Sequence, residues 1–252
     1  MGRPGRRAVR ALAPRLIEKY SPQIVIANGE NLAGGFGLTR ETADELFSCG
    51  VDIITTGNHV WNKKEFMPVL SSEERILRPA NYPPGVPGNG FIIWTAKGGS
   101  RVGVISLAGR VFMGNLDCPF RAAEQLVSEI APCTRVIVVD FHAEATSEKS
   151  ALAWFLDGKV SCVAGTHTHV QTSDERILPG GTAYITDLGM TGPIDSVIGM
   201  KKEPVIEKFL TQRPIRFEVA TGRVVLSGAF VDVDDETGKA ISIERIYEEF
   251  SG

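Results

Sequence analysis

The chain predicts an α/β protein built on a partly parallel sheet, and two patterns carry that prediction. Short β-branched runs recur along it and end in polar residues, as buried strands do where their C-terminal ends open into loops. Between them lie amphipathic stretches with helix start and stop signals, and strand alternating with helix implies parallel pairing.

The strand runs, in order, are QIVIANGEN (23–31), VDIITTGNH (51–59), RVIVVDFHAE (135–144), KVSCVAGTHTH (159–169) and TAYITDLGMTG (182–192). One helix is predicted from a Thr39 N-cap to Gly50, and another over 147–158 with Leu152, Phe155 and Leu156 on one face. From Ile215 to Ile246 strand-like runs alternate with Thr-Gly turns at 221–222 and 237–238, which predicts an antiparallel meander. The Pro/Gly-dense RPANYPPGVPGNG (78–90) reads as an ordered surface loop, an inert connection in preference to the border of a substrate site.

With 252 residues, 43% of them hydrophobic, one domain over 1–252 with a sizeable core is expected. Twenty-seven basic against 30 acidic residues, with no basic block beyond GRPGRR, exclude an extended nucleic-acid surface. Arg10, Pro14 and Arg15 break any apolar signal core, no stretch approaches membrane-spanning length, and Arg6 stands where a myristoylation signal needs Ser or Thr. Cys49, Cys118, Cys133 and Cys162 form no C-x-x-C pair and read as buried, reduced thiols of a cytoplasmic protein.

All four histidines, His59, His142, His167 and His169, fall at predicted strand ends, where ligands of open α/β sheets collect. Glu30, Asn31 and Asn58 fall on the same rim. Imidazoles, one carboxylate and carboxamides without thiolate suit Mn, Fe, Zn or Co. In an extended loop the two histidines of THTH point the same way with Cα atoms roughly 6 to 7 Å apart, so each can serve one of two adjacent ions. Glu30 is the only carboxylate of ANGENLAGG, and its two oxygens suit it to bridge two ions. Asn58 can offer its carbonyl oxygen while His59 projects elsewhere, free to donate a proton.

With GNH, the downstream His142 and THTH, the sequence resembles the calcineurin-like metallophosphoesterases. A closer resemblance, to the bacterial YmdB-type metallophosphoesterases, runs through GRPGRRAV, NGENLAGGFGLT, TTGNHVW, RPANYPPGVPG, GRVFM, DFHAEATSEK, GTHTHVQTSDERILPGGTAYITDLGMTGP and RFEV. It implies a four-layer α/β/β/α sandwich with mixed sheets and a phosphodiesterase acting on cyclic nucleotides of the 2',3'-cyclic class.

It further implies two divalent transition-metal ions, Fe or Mn first and Zn or Co as alternatives. Glu30 would bridge them, Asn31 and His169 complete the first, and Asn58, His142 and His167 hold the second. A shared hydroxide would attack phosphorus in line between ions about 3.5 to 4 Å apart, and His59 would protonate the leaving oxygen. The expected partner is a small phosphodiester or cyclic nucleotide; the residues that hold it are not identified, and a homo-oligomer is left open.

Family members carry, just before GRPGR, a strand ending in Gly-Asp whose aspartate ligates the first ion, and this sequence has neither. The expected reason is that Met1 is an internal methionine; a chain starting here is expected to fold weakly and turn over poorly. That departure motivates a second reading, a metal- and nucleotide-binding regulatory protein without hydrolysis. A phosphomonoesterase on the same core and a metal-dependent amide or ester hydrolase are the remaining alternatives. Glu144 is read as orienting a ligand, Asp187 is left open between that role and loop capping, and Arg110 is left outside the site.

Overall fold

The computed structural model describes residues 1–250. Its helices are α1 (Gly2–Tyr20), α2 (Arg40–Ser48), α3 (Met67–Ser72), α4 (Pro119–Ile130), α5 (Thr146–Leu156) and α6 (Lys202–Thr211). Its strands are β1 (Ile26–Asn28), β2 (Ile53–Thr55), β3 (Ile76–Leu77), β4 (Phe91–Thr95), β5 (Arg101–Ala108), β6 (Val136–His142), β7 (Cys162–Thr166), β8 (Arg176–Ile177), β9 (Ala183–Ile185), β10 (Gly192–Pro193), β11 (Val224–Val233) and β12 (Ala240–Phe250).

These strands make three sheets, and the mixture of parallel and antiparallel pairing expected from the sequence is present. β1-β2-β3 is parallel throughout. The largest sheet runs β4-β5-β6-β7-β9-β8, parallel in its four inner strands and antiparallel at both edges. β10-β11-β12 is antiparallel.

Alternation along β6 shows how the layers divide the core. Ile137, Val139 and Phe141 pack with Val127 and Ile130 of α4 and with Leu152 and Leu156 of α5. Val136 and Val138 face the other way, into a cluster with Val104, Ile53 and Leu77 that joins the large sheet to the first one. The far side of the first sheet is covered by α2 and α3 through Ala43, Leu46 and Leu70. Asp140 and His142 share the parity of Val136 and Val138, so this face becomes polar towards the C-terminal ends of the strands.

The five predicted strands and both predicted helices are present. α2 begins at the expected Thr39 cap, with Thr42 closing the box in place of an acidic residue: Thr42 N–H donates to Thr39 Oγ1, and Thr39 N–H donates to Thr42 Oγ1 at 3.0 Å.

Three features depart from the sequence reading. The basic N-terminal stretch is a helix of five turns, because Ala8, Leu12 and Ala13 form a buried stripe while Arg6 and Arg10 both pair with Glu45 of α2. Helix α4 and the β4–β5 hairpin were not anticipated. The meander is a single long hairpin, β11–β12, turning at Thr237-Gly238; 215–220 contributes only an isolated bridge between Val219 and Met200.

The outer edge of β1 and the edge of β11 beyond its short pairing with β10 lie unpaired among the described residues. Both face a cavity of about 620 Å³ walled by α1 and by Val138 and Ala164 of the large sheet. Its polar end reaches Asn28, Glu30 and His169.

No helix of the described chain is long and apolar enough to cross a membrane. All four cysteines are free, but only Cys49 and Cys162 are buried; Cys133 is exposed and Cys118 half-buried, because both flank the surface helix α4. Burial pushes the Cys162 thiol up to about 12. Titration of the native protein with a thiol reagent is expected to modify Cys118 and Cys133 only, and the other two after unfolding. Modification of Cys162 in the folded protein contradicts this packing.

Candidate metal centre

The residues singled out at the strand ends meet at one place, and each is delivered by a short chemical rule. Asn28 closes β1: its Oδ1 accepts Glu30 N–H at 3.1 Å, and its Nδ2 donates to Asp140 Oδ2 at 2.9 Å. The turn so formed points Glu30 inward, where the residue is fully buried. Glu30 Oε1 accepts the His59 N–H at 2.7 Å, tying the loop after β1 to the loop after β2. Gly57 has to be glycine, since a Cβ there would stand 2.3 Å from the His142 ring.

Asp140 fixes His142. Its carboxylate accepts from Asn28, from Thr55 Oγ1 at 2.5 Å and from Thr166 Oγ1 at 2.7 Å. Burial pushes the Asp140 pKa up, and these donors work against that shift. Thr166 has one proton and gives it to Asp140, so at 3.0 Å its oxygen accepts His142 Nδ1–H. In the neutral ring Nε2 is then the nitrogen with the free lone pair.

That lone pair has unusual company. Within about 3 Å of His142 Nε2 lie Glu30 Oε2 at 2.8 Å, His167 Nδ1 at 3.0 Å and Asn58 Oδ1 at 3.1 Å. The Glu30 contact is short but not directed as a hydrogen bond, and Oε2 is left with no hydrogen-bond partner although it is buried. Electron-rich atoms this close require a positive charge among them. Burial would raise the Glu30 pKa, but His142 and the His59 N–H overcome it and bring it down to about 2, which keeps Glu30 a carboxylate. A divalent cation would supply the positive charge, and Glu30, His142 and His167 have the mutual spacing of a metal site. Burial, reinforced by the facing His142 ring, pushes His167 down to about 4, keeping it the neutral ring a metal needs.

A second group lies beside the first. His169 Nδ1–H donates to Ile198 O at 2.9 Å, leaving Nε2 3.0 Å from Asn31 Nδ2. Asn31 Oδ1 is buried without a partner, the second orphan acceptor at this rim. Five of the six sequence-predicted side chains, Glu30, Asn31, His142, His167 and His169, line one cavity, with Asn58 against His142; Asn58, His142 and His167 are grouped with Glu30, and Asn31 is paired with His169.

The geometry of THTH differs from the extended loop expected. His167 and His169 have φ of 102° and 68°, both in the left-handed region, so each ring is aimed by a backbone reversal and not by strand alternation. His59 stands at the edge, its Nδ1 3.2 Å from Asn62 Nδ2, with Phe36 edge-on to its ring. Asn62 donates, which leaves the His59 proton on Nε2. Glu144 Oε2 meets His167 Nε2 at 3.0 Å, as expected of a ligand-orienting carboxylate. Asp187 is deeply engaged through Lys149 and Thr168, and Asp140, Thr166 and Asn28 were missed. A single Asp in the apolar VIVVDFH was the available sign for Asp140.

A family model described as "YmdB-like protein" matches residues 1–246. The chain is 52% identical over 246 residues to the 2',3'-cyclic-nucleotide 2'-phosphodiesterase of Bacillus subtilis (strain 168), covering 98% of this chain and 93% of that protein. It is 34% identical over 254 residues to a putative phosphatase/phosphodiesterase of Mycoplasma genitalium, covering 97% and 89%. Among solved structures, a hypothetical protein from Thermus thermophilus superposes with a TM-score of 0.93 at 44% identity over 99% of this chain and 96% of that one. A novel phosphatase from Mycoplasma pneumoniae gives the same TM-score at 35% identity, covering 99% and 90%. A match of this extent, on a chain whose polar strand ends converge as described, makes the protein a member of the YmdB-like family.

Proposed function

We propose that the chain is a dinuclear metal-dependent phosphodiesterase that hydrolyses 2',3'-cyclic nucleotides. The observation that carries this reading is the convergence of Glu30 Oε2, Asn58 Oδ1 and His167 Nδ1 on a His142 nitrogen that Thr166 leaves without a proton. The name of the Bacillus subtilis relative supplies the substrate class. The packing of helices outside both facing sheets supports a four-layer, calcineurin-like α/β/β/α sandwich. Four unpaired cysteines suit a cytoplasmic setting.

The residues present fit two ions, with Fe or Mn first and Zn or Co as alternatives. Glu30 would be shared, Asn31 and His169 would hold one, and Asn58, His142 and His167 would hold the other. When bound, the ions neutralise charge on the phosphoryl oxygens and make water a nucleophile at neutral pH. Asp140 and Thr166 keep the His142 lone pair aimed inward, and Glu144 orients His167. His59, with Asn62 on Nδ1, presents Nε2–H to the ribose oxygen that leaves phosphorus.

With Mn²⁺ or Fe²⁺ the protein is expected to carry two ions and to turn over 2',3'-cyclic AMP and bis(p-nitrophenyl) phosphate. EDTA treatment should abolish both activities and metal addition restore them. Nucleotide binding without hydrolysis of any diester would replace the enzyme reading with the regulatory one. His59→Asn is expected to lower kcat on the cyclic nucleotide by about 10²–10⁴, the usual worth of a general acid, and to affect the nitrophenyl ester far less, since that leaving group needs no proton. Equal losses on both would remove His59 from this role. Gly57→Ala pushes a methyl group into the His142 ring and should cost at least about tenfold in metal affinity, read by calorimetric titration; unchanged affinity would refute the close approach.

A further inference from the structure

We propose that the buried Lys149–Asp187 pair is the device that sets the His167-Thr168-His169 loop, so that one carboxylate positions the histidines of both ion sites; this rests on the metal reading above. Asp187 Oδ2 accepts from Lys149 Nζ at 2.7 Å, from Thr168 N–H at 3.0 Å and from Thr168 Oγ1 at 2.8 Å. Its Oδ1 accepts Gly189 N–H at 2.8 Å. With both oxygens engaged by these donors, Asp187 is a positioning residue and not a ligand.

The residue it grips is the one between the two histidines, and both of those hold left-handed φ values that an unsupported non-glycine chain leaves. Holding Thr168 by its N–H and its hydroxyl blocks relaxation on both sides at once. The loop is then latched further out by Met190 N–H donating to His169 O and by the His169 ring on Ile198 O.

A carboxylate used in this way inside the protein needs a counter-charge, and Lys149 brings one from α5. Side chains of both residues are 1% exposed or less. The route is built into the sheet: at Gly165 in β7 an added Cβ would stand 3.0 Å from Lys149 Cδ and far too close to Thr186 O. Glycine there leaves room for the lysine stem to pass β7 and reach the loop.

The experiment compares the wild type with Asp187→Asn and with the double variant Lys149→Met/Asp187→Asn, which removes the uncompensated charge. Mn²⁺ is titrated into each ion-free protein and followed by electron paramagnetic resonance, and exchange of the Thr168 amide is followed by NMR. Asp187→Asn should weaken both ions together by about 10–100-fold, as loss of a group orienting metal ligands does, and Thr168 should exchange faster even without metal. The double variant should regain thermal stability but not affinity. Wild-type affinity in either folded variant, weakening of one ion alone, or an unchanged Thr168 exchange rate overturns the proposal. A wild type that takes up no Mn²⁺ overturns the metal reading instead, and Thr168 exchange still decides whether Asp187 holds the loop.

Discussion

The buried carboxylate of Asp140 is the constraint on which the site depends. It sits on β6, in the large sheet, and collects donors from Asn28 on β1, Thr55 on β2 and Thr166 on β7. Two of these belong to the facing sheet, so one carboxylate ties together two layers that also meet through an apolar cluster and through Ser106 Oγ donating to Thr56 O. Burying a carboxylate costs several kcal/mol, and each hydrogen bond to it returns about 1.5–3. Three well-placed donors are about what is needed to break even. Its structural value lies in direction: the same atoms set the Glu30 turn through Asn28 and the His142 tautomer through Thr166.

The histidine loop repeats this logic with a different partner. Asp140 is satisfied by neutral donors because its task is to accept protons from groups that must themselves stay neutral. Asp187 has to hold a strained backbone, and it does so with a full counter-charge from Lys149. Removing one partner from such a buried pair typically costs about 3–5 kcal/mol, a large fraction of the stability of a domain this size. Both carboxylates are engaged by donors of the protein itself, whereas Glu30 Oε2 has none.

Much of this was legible from residue type and place. β-branched runs found the strands because a parallel strand buried on both faces leaves no other pattern, and the Thr39 cap found its helix. Histidines confined to strand ends found the site. What escaped needed tertiary information. α1 hid its apolar stripe among arginines whose role becomes visible only once Glu45 stands opposite Arg6 and Arg10. The extended reading of THTH failed because the backbone there is set by Asp187, twenty residues from His167, and local propensity had no access to that contact. Lys149 left a trace, a basic residue on the same helix face as Leu152, Ala153 and Leu156, which a strictly amphipathic reading assigns to solvent.

The origin of the ligands also bears on how the protein holds together. Glu30, Asn31, Asn58 and His59 follow β1 and β2 of the first sheet, whereas His142, His167 and His169 end or follow β6 and β7 of the large one. The centre is therefore an interface between layers, with its acceptors divided across it. These acceptors face one another across the seam, and Glu30 Oε2 and Asn31 Oδ1 are buried there without a hydrogen-bond partner. A cation would convert the same atoms into a bond between the sheets, next to the cavity where the edges of β1 and β11 stand unpaired. Metal binding at such a seam adds to folding stability as well as to chemistry. The two positioning groups belong to the same side of that seam: Asp140 lies on β6 of the large sheet, and Asp187 follows its β9 by two residues.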